Sequence, residues 1–322
     1  MGVFAHSIAK ALKDDGAEVF TYLTRDHGHY GPSLVSKVFD QERHPNPCRI
    51  IKKEKISFVV PMSIDWALQS WSKEFLDLNI PILSPKGEGY QIERDRNFSQ
   101  KLCNQYSVPF AKSFVAKNKS EAKRILKSYP RLYVIKNPLC SPNSPVHTIV
   151  NETIEETDYW LDQLDYSQGV FLQEHLGRNE VGHIVFISNG KIYSILTNQE
   201  YKRAFDGNQG IIADAPLGGL IEIDPNDKYK IARELIHPLL PWFQKVNFQG
   251  PLQVTALKHK RKWHVAEFNI RMGVTSGLLF LRLIKNPVQV LSQAVSNQKI
   301  TPKSKNGLKF GCSITLAAEL SV

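Results

Sequence analysis

The chain has 322 residues, 42% of them apolar and 22% charged, with 41 Lys and Arg against 31 Asp and Glu. That length holds two or three compact lobes, and the composition excludes a disordered or fibrous chain. No apolar run reaches the roughly 18 residues of a membrane span. A signal-peptide pattern is missing, and His6 stands where a myristoylation signal wants Ser or Thr, so a cytoplasmic protein without a membrane partner is expected. Cys48, Cys103, Cys140 and Cys312 are scattered with no CxxC pair, against a disulfide frame or a zinc site. The net charge of +10, part of it in Lys299, Lys303, Lys305 and Lys309, attracts polyanions. A solvated surface and a field for phosphorylated substrates both fit it. The basic residues form no nucleic-acid-binding module, so nucleic acid is not an expected partner.

In chain order, Phe4, Ile8, Ala11 and Leu12 make one helical stripe, with Gly16 where a C-cap belongs. Ala17 to Leu23 reads as a strand. Residues 24–50, rich in Gly, Pro, His and Asn, read as loop, and His27 and His29 within it have no partner ligands nearby. Ile56 to Pro61 is a short strand. Ile64, Leu68, Trp71 and Phe75 line one helix, and Ile80 to Leu83 is another strand. This alternation predicts a parallel sheet with helices on its faces. A helix is expected from about Glu88 to Tyr106.

From Phe110 the rhythm is strand, helix, strand. Asn118 and Glu121 have the spacing of a capping box. Arg131 to Lys136 is a strand, followed by the loop Asn137 to Pro145, a strand near Val146–Val150 and a helix over 153–164. Val170 to Glu174 is a strand. Val181 to Ser188 and Lys191 to Leu196 pair across Asn189-Gly190, a strong hairpin signal. Residues 197–219 read as a Gly-rich loop and 226–246 as one long helix. Strands over 252–258 and 263–270 flank a basic turn. Helices near 277–284 and 287–297 precede a last strand, Cys312 to Ala318.

Four segments have the chemistry of a site. Glu267, Asn269 and Arg271 alternate along a strand and therefore share one face. A carboxylate beside an amide oxygen suits Mg²⁺, and a guanidinium two residues on can grip a phosphate oxygen. Lys136 ends a strand. Gln173-Glu174-His175-Leu176 ends another, with Glu180 following. Tyr201-Lys202-Arg203 and then Asp206-Gly207-Asn208-Gln209-Gly210 join paired cations to a flexible loop that can wrap an anion. Each segment taken singly also reads as an ordinary strand, strand end or solvated loop.

Their order along the chain resembles that of ATP-grasp enzymes. The wording resembles phosphoribosylamine–glycine ligase in particular. "EYKRAFDGNQG" is similar to that family's HKR segment and the loop after it, and "EFNIRMG" to its EFN-x-R-x-G strand. "YVIKNP" resembles its YVIKA strand, "FLQEHLGRNEV" its hinge and following Glu, and residues 79–109 its N-domain exit. The similarity covers about residues 55–295.

The resemblance implies an α/β and α+β chain, an ATP-grasp fold preceded by a partial Rossmann-like domain. The expected division is an N-terminal α/β domain over 1–88, an ATP-grasp domain over 89–298 with a small lid subdomain at about 110–175, and a remnant of a C-terminal lobe over 299–322. It implies ATP and Mg²⁺ (or Mn²⁺) as cofactors. Arg96 and Lys136 would contact ATP phosphates, Glu174 and Leu176 would offer hinge backbone to adenine, and Glu180 would take the ribose. Glu267 and Asn269 would hold the metal, with Arg271, Lys202 and Arg203 as catalytic cations. The implied reaction joins a small-molecule carboxylate to an amine, glycine and phosphoribosylamine in that family, through an acyl phosphate.

Departures are visible. The segment from Asn137 to Pro145 contains no Gly where the family has a Gly-rich lid. The family's PNTGGMG stretch survives only as Ile211 to Gly219, and its Asp-Pro-Glu is here Val274-Thr275-Ser276. The ends are shorter than the family's, so a partial chain is expected. A ligase for a different amino acid and amine, and a non-catalytic nucleotide-binding or scaffold protein, are the alternatives these departures leave open.

Overall fold

The computed structural model describes residues 3–24, 34–140, 148–205, 207, 209–212 and 216–315. His27, His29, Asp206, Asn208, residues 141–147 and the end of the expected last strand lie outside the described residues. Among the described residues no helix is long and apolar enough to cross a membrane.

Helix α1 (Val3–Asp14) opens the chain. Strand β1 (Phe20–Leu23) runs parallel to β2 (Lys37–Asp40), with Phe20 stacked on Phe39. Both β2 and helix α2 (Cys48–Lys53) fall in the stretch expected to be loop. They are too short to show a period, and cross-strand pairing plus burial of Cys48 and Ile50 stabilise them instead. The expected strands at 56–61 and 80–83 meet through a single parallel bridge, Val59 to Ile82.

The helix expected through Ile64 and Phe75 is two pieces, a 3₁₀ turn Ile64–Leu68 and α3 (Ser72–Asp77). On one continuous helix Trp66 and Trp71 would point about 140° apart. The extended backbone at Gln69 turns both into one cluster with Phe75 and leaves Leu68 exposed. The helix expected over 88–106 also breaks, into a 3₁₀ turn Gly87–Tyr90, α4 (Gln91–Arg94) and α5 (Arg96–Gln105). Asp95 is extended between them, and its Oδ1 accepts from the N–H of Asn97 at 2.9 Å and Phe98 at 3.0 Å. An aspartate that can cap starts a new helix there.

A small antiparallel sheet follows: β3 (Ser113–Ala116), β4 (Tyr133–Lys136), β5 (Ile149–Val150) and β6 (Val170–Glu174), in the order β3-β6-β4-β5. Helices α6 (Lys119–Ser128) and α7 (Ile154–Gln163) cover it, burying Leu126, Ile135, Leu161 and Leu172 together. Asn118 caps α6 as expected, but Glu121 returns to the N–H of Lys117, one residue before the cap. Thr153 and Glu156 complete a reciprocal capping box on α7.

The large sheet has the order β13-β12-β7-β8-β11-β14, antiparallel throughout. Its strands are β7 (Glu180–Ser188), β8 (Lys191–Tyr201), β11 (Gly218–Ile223), β12 (Gly250–His259), β13 (Lys262–Asn269) and β14 (Phe310–Ile314). Asn189 and Gly190 both take positive φ, 50° and 64°, as the two-residue hairpin turn requires. The expected loop over 197–219 instead holds the end of β8, a small hairpin β9 (Arg203–Phe205) and β10 (Gln209–Ile212), and the start of β11. Gly218 and Gly219 hid the last strand, which exists through its pairing with β8.

The helix expected over 226–246 is α8 (Ile231–Leu235), a 3₁₀ turn and α9 (Leu240–Lys245). Pro238 and Pro241 lack the N–H that a continuous helix needs. Before α8, Asp224 accepts the N–H of Lys228, and Asp227 accepts those of Ala232 and Arg233. These caps join Thr197 and His183 in a buried polar network. Helices α10 (Ser276–Leu283) and α11 (Pro287–Val295) match expectation.

Alternation sorts the faces of the large sheet. Val185, Leu252, Val254, Val265, Phe268 and Ile270 face α4, α5, α8 and α9. Ile184, Phe186, Leu196 and Ile221 face α10, α11 and α1. The polar residues Gln253 and Thr255 share this second face, beyond the reach of the apolar cover.

The core beneath the small sheet and the cap on α7 should separate cleanly in urea titrations. Leu161→Ala leaves a cavity and should lower stability by about 2–5 kcal/mol. Thr153→Ala loses only a cap and should lower it by about 1 kcal/mol.

Candidate active site

Strand β13 turns Phe268 and Ile270 into the core, and Glu267, Asn269 and Arg271 remain part-exposed on the opposite face. In register, Glu267 lies beside Thr255, Thr255 beside Gly182, and Gly182 beside Asn198. This row forms a polar floor across the sheet. A Cβ on Gly182 would stand 2.4 Å from Asn198 Oδ1, so a larger residue there would force that amide to move.

The small sheet brings a cation over this floor. Lys136 Nζ lies 3.7 Å from Glu267 Oε2 and donates to Gln173 Oε1 at 2.9 Å. Gln173 Nε2 in turn donates to the Ala266 carbonyl at 2.9 Å, tying β6 to β13. Arg96, first residue of α5, donates from Nη1 to Glu267 Oε2 at 3.3 Å. Arg271 donates from Nη2 to Asn269 Oδ1 and from Nε to Glu93 Oε1, both at 3.1 Å. Lys202 pairs with Glu180 at 2.6 Å.

These charges reset one another. Burial pushes the Glu267 carboxyl up, but Lys136, Arg96, Lys202 and Arg271 outweigh it and hold the pKa well below the usual carboxylate range. Burial pushes the Lys136 ammonium down to about 8, against the pull of Glu267. Burial also opposes the charge on Lys202, yet Glu180 and Glu267 raise its pKa above the ordinary lysine value. Glu93 keeps Arg271 raised.

Arg96, Lys136, Glu180, Lys202, Glu267, Asn269 and Arg271 therefore form one connected group. Arg203 turns elsewhere: it donates to Glu152 Oε1 at 2.7 Å and to the Gly210 carbonyl at 2.7 Å. Glu152 also holds Arg178 at 2.7 Å. The Glu174 side chain points toward Arg131, 3.9 Å away, and the N–H groups of Glu174 and His175 are bonded to the carbonyls of Lys112 and Leu132. Leu176 follows just past that ladder.

A carboxylate and an amide oxygen stand among four cations where two antiparallel sheets meet, donor types that suit a divalent cation and phosphate oxygens. Residues 94–275, more than half of the chain, match the phosphoribosylglycinamide synthetase ATP-grasp (A) domain family. The chain belongs to that family. It is similar to a phosphoribosylamine–glycine ligase of Clostridium acetobutylicum, 26% identical over 71% of this chain and 57% of that protein. A ligase of the same name from Streptomyces coelicolor is 24% identical over 68% of this chain and 53% of that protein. The chain thus spans little more than half the length of these relatives. Its fold is similar to that of the crystal structure of phosphoribosylamine–glycine ligase from Thermotoga maritima, with TM-score 0.74, 20% identity and coverage of 99% and 79% of the two chains. The biotin carboxylase domain of Hydrogenobacter thermophilus 2-oxoglutarate carboxylase, solved with MgADP, gives a TM-score of 0.68 at 11% identity, covering 96% of this chain and 71% of that one. The ATP-grasp fold read from the sequence is the fold observed.

Within this ATP-grasp site, sequence reasoning missed Glu93, Gln173's side-chain role, Glu152 and Glu200. Burial raises the Glu200 carboxyl, which accepts from Thr275 Oγ1 at 2.8 Å. Thr275 belongs to the triplet that departs from the family wording. The Gly-free segment also has a visible anchor. Arg96 N–H donates to the Pro138 carbonyl at 3.0 Å, Cys140 N–H donates to the Arg94 carbonyl at 2.8 Å, and Arg96 Nε donates to the Asn137 carbonyl at 3.0 Å. The extended backbone at Asp95 pairs with Leu139 to make this anchor, and a helical reading of 88–106 conceals it.

The lowered Lys136 value has a testable sign. The free protein loses this charge as pH rises through about 8, so an anionic ligand must bring a proton with it above that pH. Calorimetric titration with a magnesium-bound, non-hydrolysable ATP analogue, in buffers of different ionisation enthalpy, should show proton uptake approaching one at about pH 9 and little at about pH 6.5. Lys136→Met should remove the uptake.

Proposed function

We propose that the chain is an ATP-dependent carboxylate–amine ligase of the phosphoribosylamine–glycine ligase kind, acting in purine biosynthesis. The observation that carries this is the shared counter-ion: Glu267 on the large sheet meets Lys136 from the small sheet and Arg96 from the break before α5. ATP lies between the two sheets, with adenine against the backbone of Glu174 and Leu176 and ribose at Glu180. A lid at about 110–175, set on an ATP-grasp unit over 89–298 behind an N-terminal unit over 1–88, fits this reading.

Glu267 and Asn269 would hold Mg²⁺ (or Mn²⁺). Hard oxygen donors, one of them a carboxylate that stays ionised, fit such an ion. When bound, the ion supplies neutralisation of phosphoryl oxygens. This chain's residues do the rest by positioning and by charge. Arg96 and Lys136 orient the nucleotide phosphates. The carboxylate oxygen of the first substrate attacks the γ-phosphorus, breaking its bond to ADP and forming an acyl phosphate. Arg271 and Lys202 stabilise the charge on the transferring group, with Arg203 joining them by exchanging Glu152 for a phosphate oxygen. The amine nitrogen then attacks the acyl carbon, phosphate leaves, and the amine proton departs with it. Glycine and phosphoribosylamine are the pair that the relatives' names support.

One observation favours a different pair. The Thr275–Glu200 hydrogen bond is built from the triplet that departs from the family wording. Another favours nucleotide binding without turnover: Cys140 N–H is spent on a carbonyl and not offered to a phosphate.

ADP release from Mg-ATP, measured with glycine plus phosphoribosylamine and with a panel of other amino acids and amines, separates the three. Release dependent on the first pair supports the proposal, release with another pair replaces its substrates, and no release with any pair overturns the enzymatic reading. Glu267→Gln should lower turnover at least about a thousandfold, since it removes the metal carboxylate and the shared counter-ion together.

A further inference from the structure

Glu93 is a buried carboxylate outside the cleft, and both of its oxygens serve one strand end. Oε2 accepts the N–H of Ile270 at 2.6 Å, and Oε1 accepts Nε–H of Arg271 at 3.1 Å. Its side chain is 3% exposed. Arg271 passes the constraint on, since its Nη2 donates to Asn269 Oδ1 at 3.1 Å. A guanidinium is planar, so fixing Nε on one side and Nη2 on another fixes the whole fork. Among the described residues nothing accepts from Nη1, which is left for an anion in the cleft.

Glu93 does not act alone. Glu93 and Arg96, on either side of the Asp95 break, reach the same strand from the same short segment. One takes a carboxylate to Arg271, and the other takes a guanidinium to Glu267. Opposite charges thus cross between the break and β13. A carboxylate withdrawn from water is tolerated only with charge and hydrogen-bond partners, and here both come from the end of the site strand. A brace for packing alone needs no charge at this position.

We propose that Glu93 is a positioning residue: it locks the Arg271 fork toward the transferred phosphoryl group. The proposal rests on the nucleotide-site reading above. It separates ground-state binding, which Lys136 and Arg96 provide, from stabilisation of the phosphoryl group in flight, which the locked fork provides.

Two probes test this without turnover. The non-hydrolysable analogue with Mg²⁺ mimics bound ATP, and Mg-ADP with aluminium fluoride mimics the transferring phosphoryl group. In Glu93→Gln, affinity for the first should stay within about threefold, and affinity for the second should fall about thirtyfold or more. Glu93→Asp keeps the charge but retracts it by one methylene, so it serves where the Gln variant melts too early. It should show the same split, read below its own melting temperature. Adding Glu93→Gln to Arg271→Lys should lower the second affinity little further than Arg271→Lys alone. If wild type binds both probes and the Glu93 variants match it, or lose both affinities equally, Glu93 is only a structural brace. If wild type binds neither probe, the nucleotide site itself is wrong and this role falls with it.

Discussion

The Glu267 carboxylate organises the molecule. It stands on the large sheet, yet its nearest charges arrive from the small sheet as Lys136 and from the break before α5 as Arg96. Burial works against the charges on Glu267 and Lys136. They persist because each is the other's counter-ion, and the surplus of positive charge around Glu267 keeps it ionised. That surplus is what a polyphosphate needs to meet. The same contact joins the two sheets, so site and subdomain interface are one structure.

The floor beneath the charges depends on the two-residue period of the sheet. One face carries Leu252, Val254, Val265 and Phe268 into a core under α5, α8 and α9. The other is apolar only where α10 and α11 cover it, and it becomes polar at Gln253, Thr255 and Asn198. A sheet that changes character along its length gives a rigid backing to the charged group above it. Glu93 belongs to this rigidity, because it fixes the end of β13 from behind.

Backbone hydrogen bonds also link the small sheet to the site strand. Ala111 N–H donates to the Val265 carbonyl at 3.0 Å, and Val265 N–H donates to the Pro109 carbonyl at 2.8 Å, so the chain entering the small sheet leans on the site strand itself. The Gln173 bridge to the Ala266 carbonyl adds a side-chain bond to the same strand. Glu152 forms a further tie, since its two oxygens hold Arg203 and Arg178. Arg203 is therefore engaged by the small subdomain and by the β10 backbone in this state.

The sequence by itself determined what depends on near neighbours. The alternation that puts Glu267, Asn269 and Arg271 on one face, the Asn189-Gly190 turn, the cap at Asn118 and the Lys at the end of β4 all follow from period and local sterics. The ATP-grasp fold came from the resemblance that the order of the site segments bears to that family. Tertiary structure alone decided the rest, because the forces involved act between residues far apart in the chain. Pairing with β8 makes a strand of the Gly218-Gly219 segment, and the need to bury Trp66 and Trp71 together breaks a helix. Asp95 interrupts another helix, and the ends so created meet β13 more than 170 residues away, as Glu93 with Arg271 and Arg96 with Glu267. A local pattern has no term for a counter-ion at that distance, so it cannot reveal which cation answers which carboxylate.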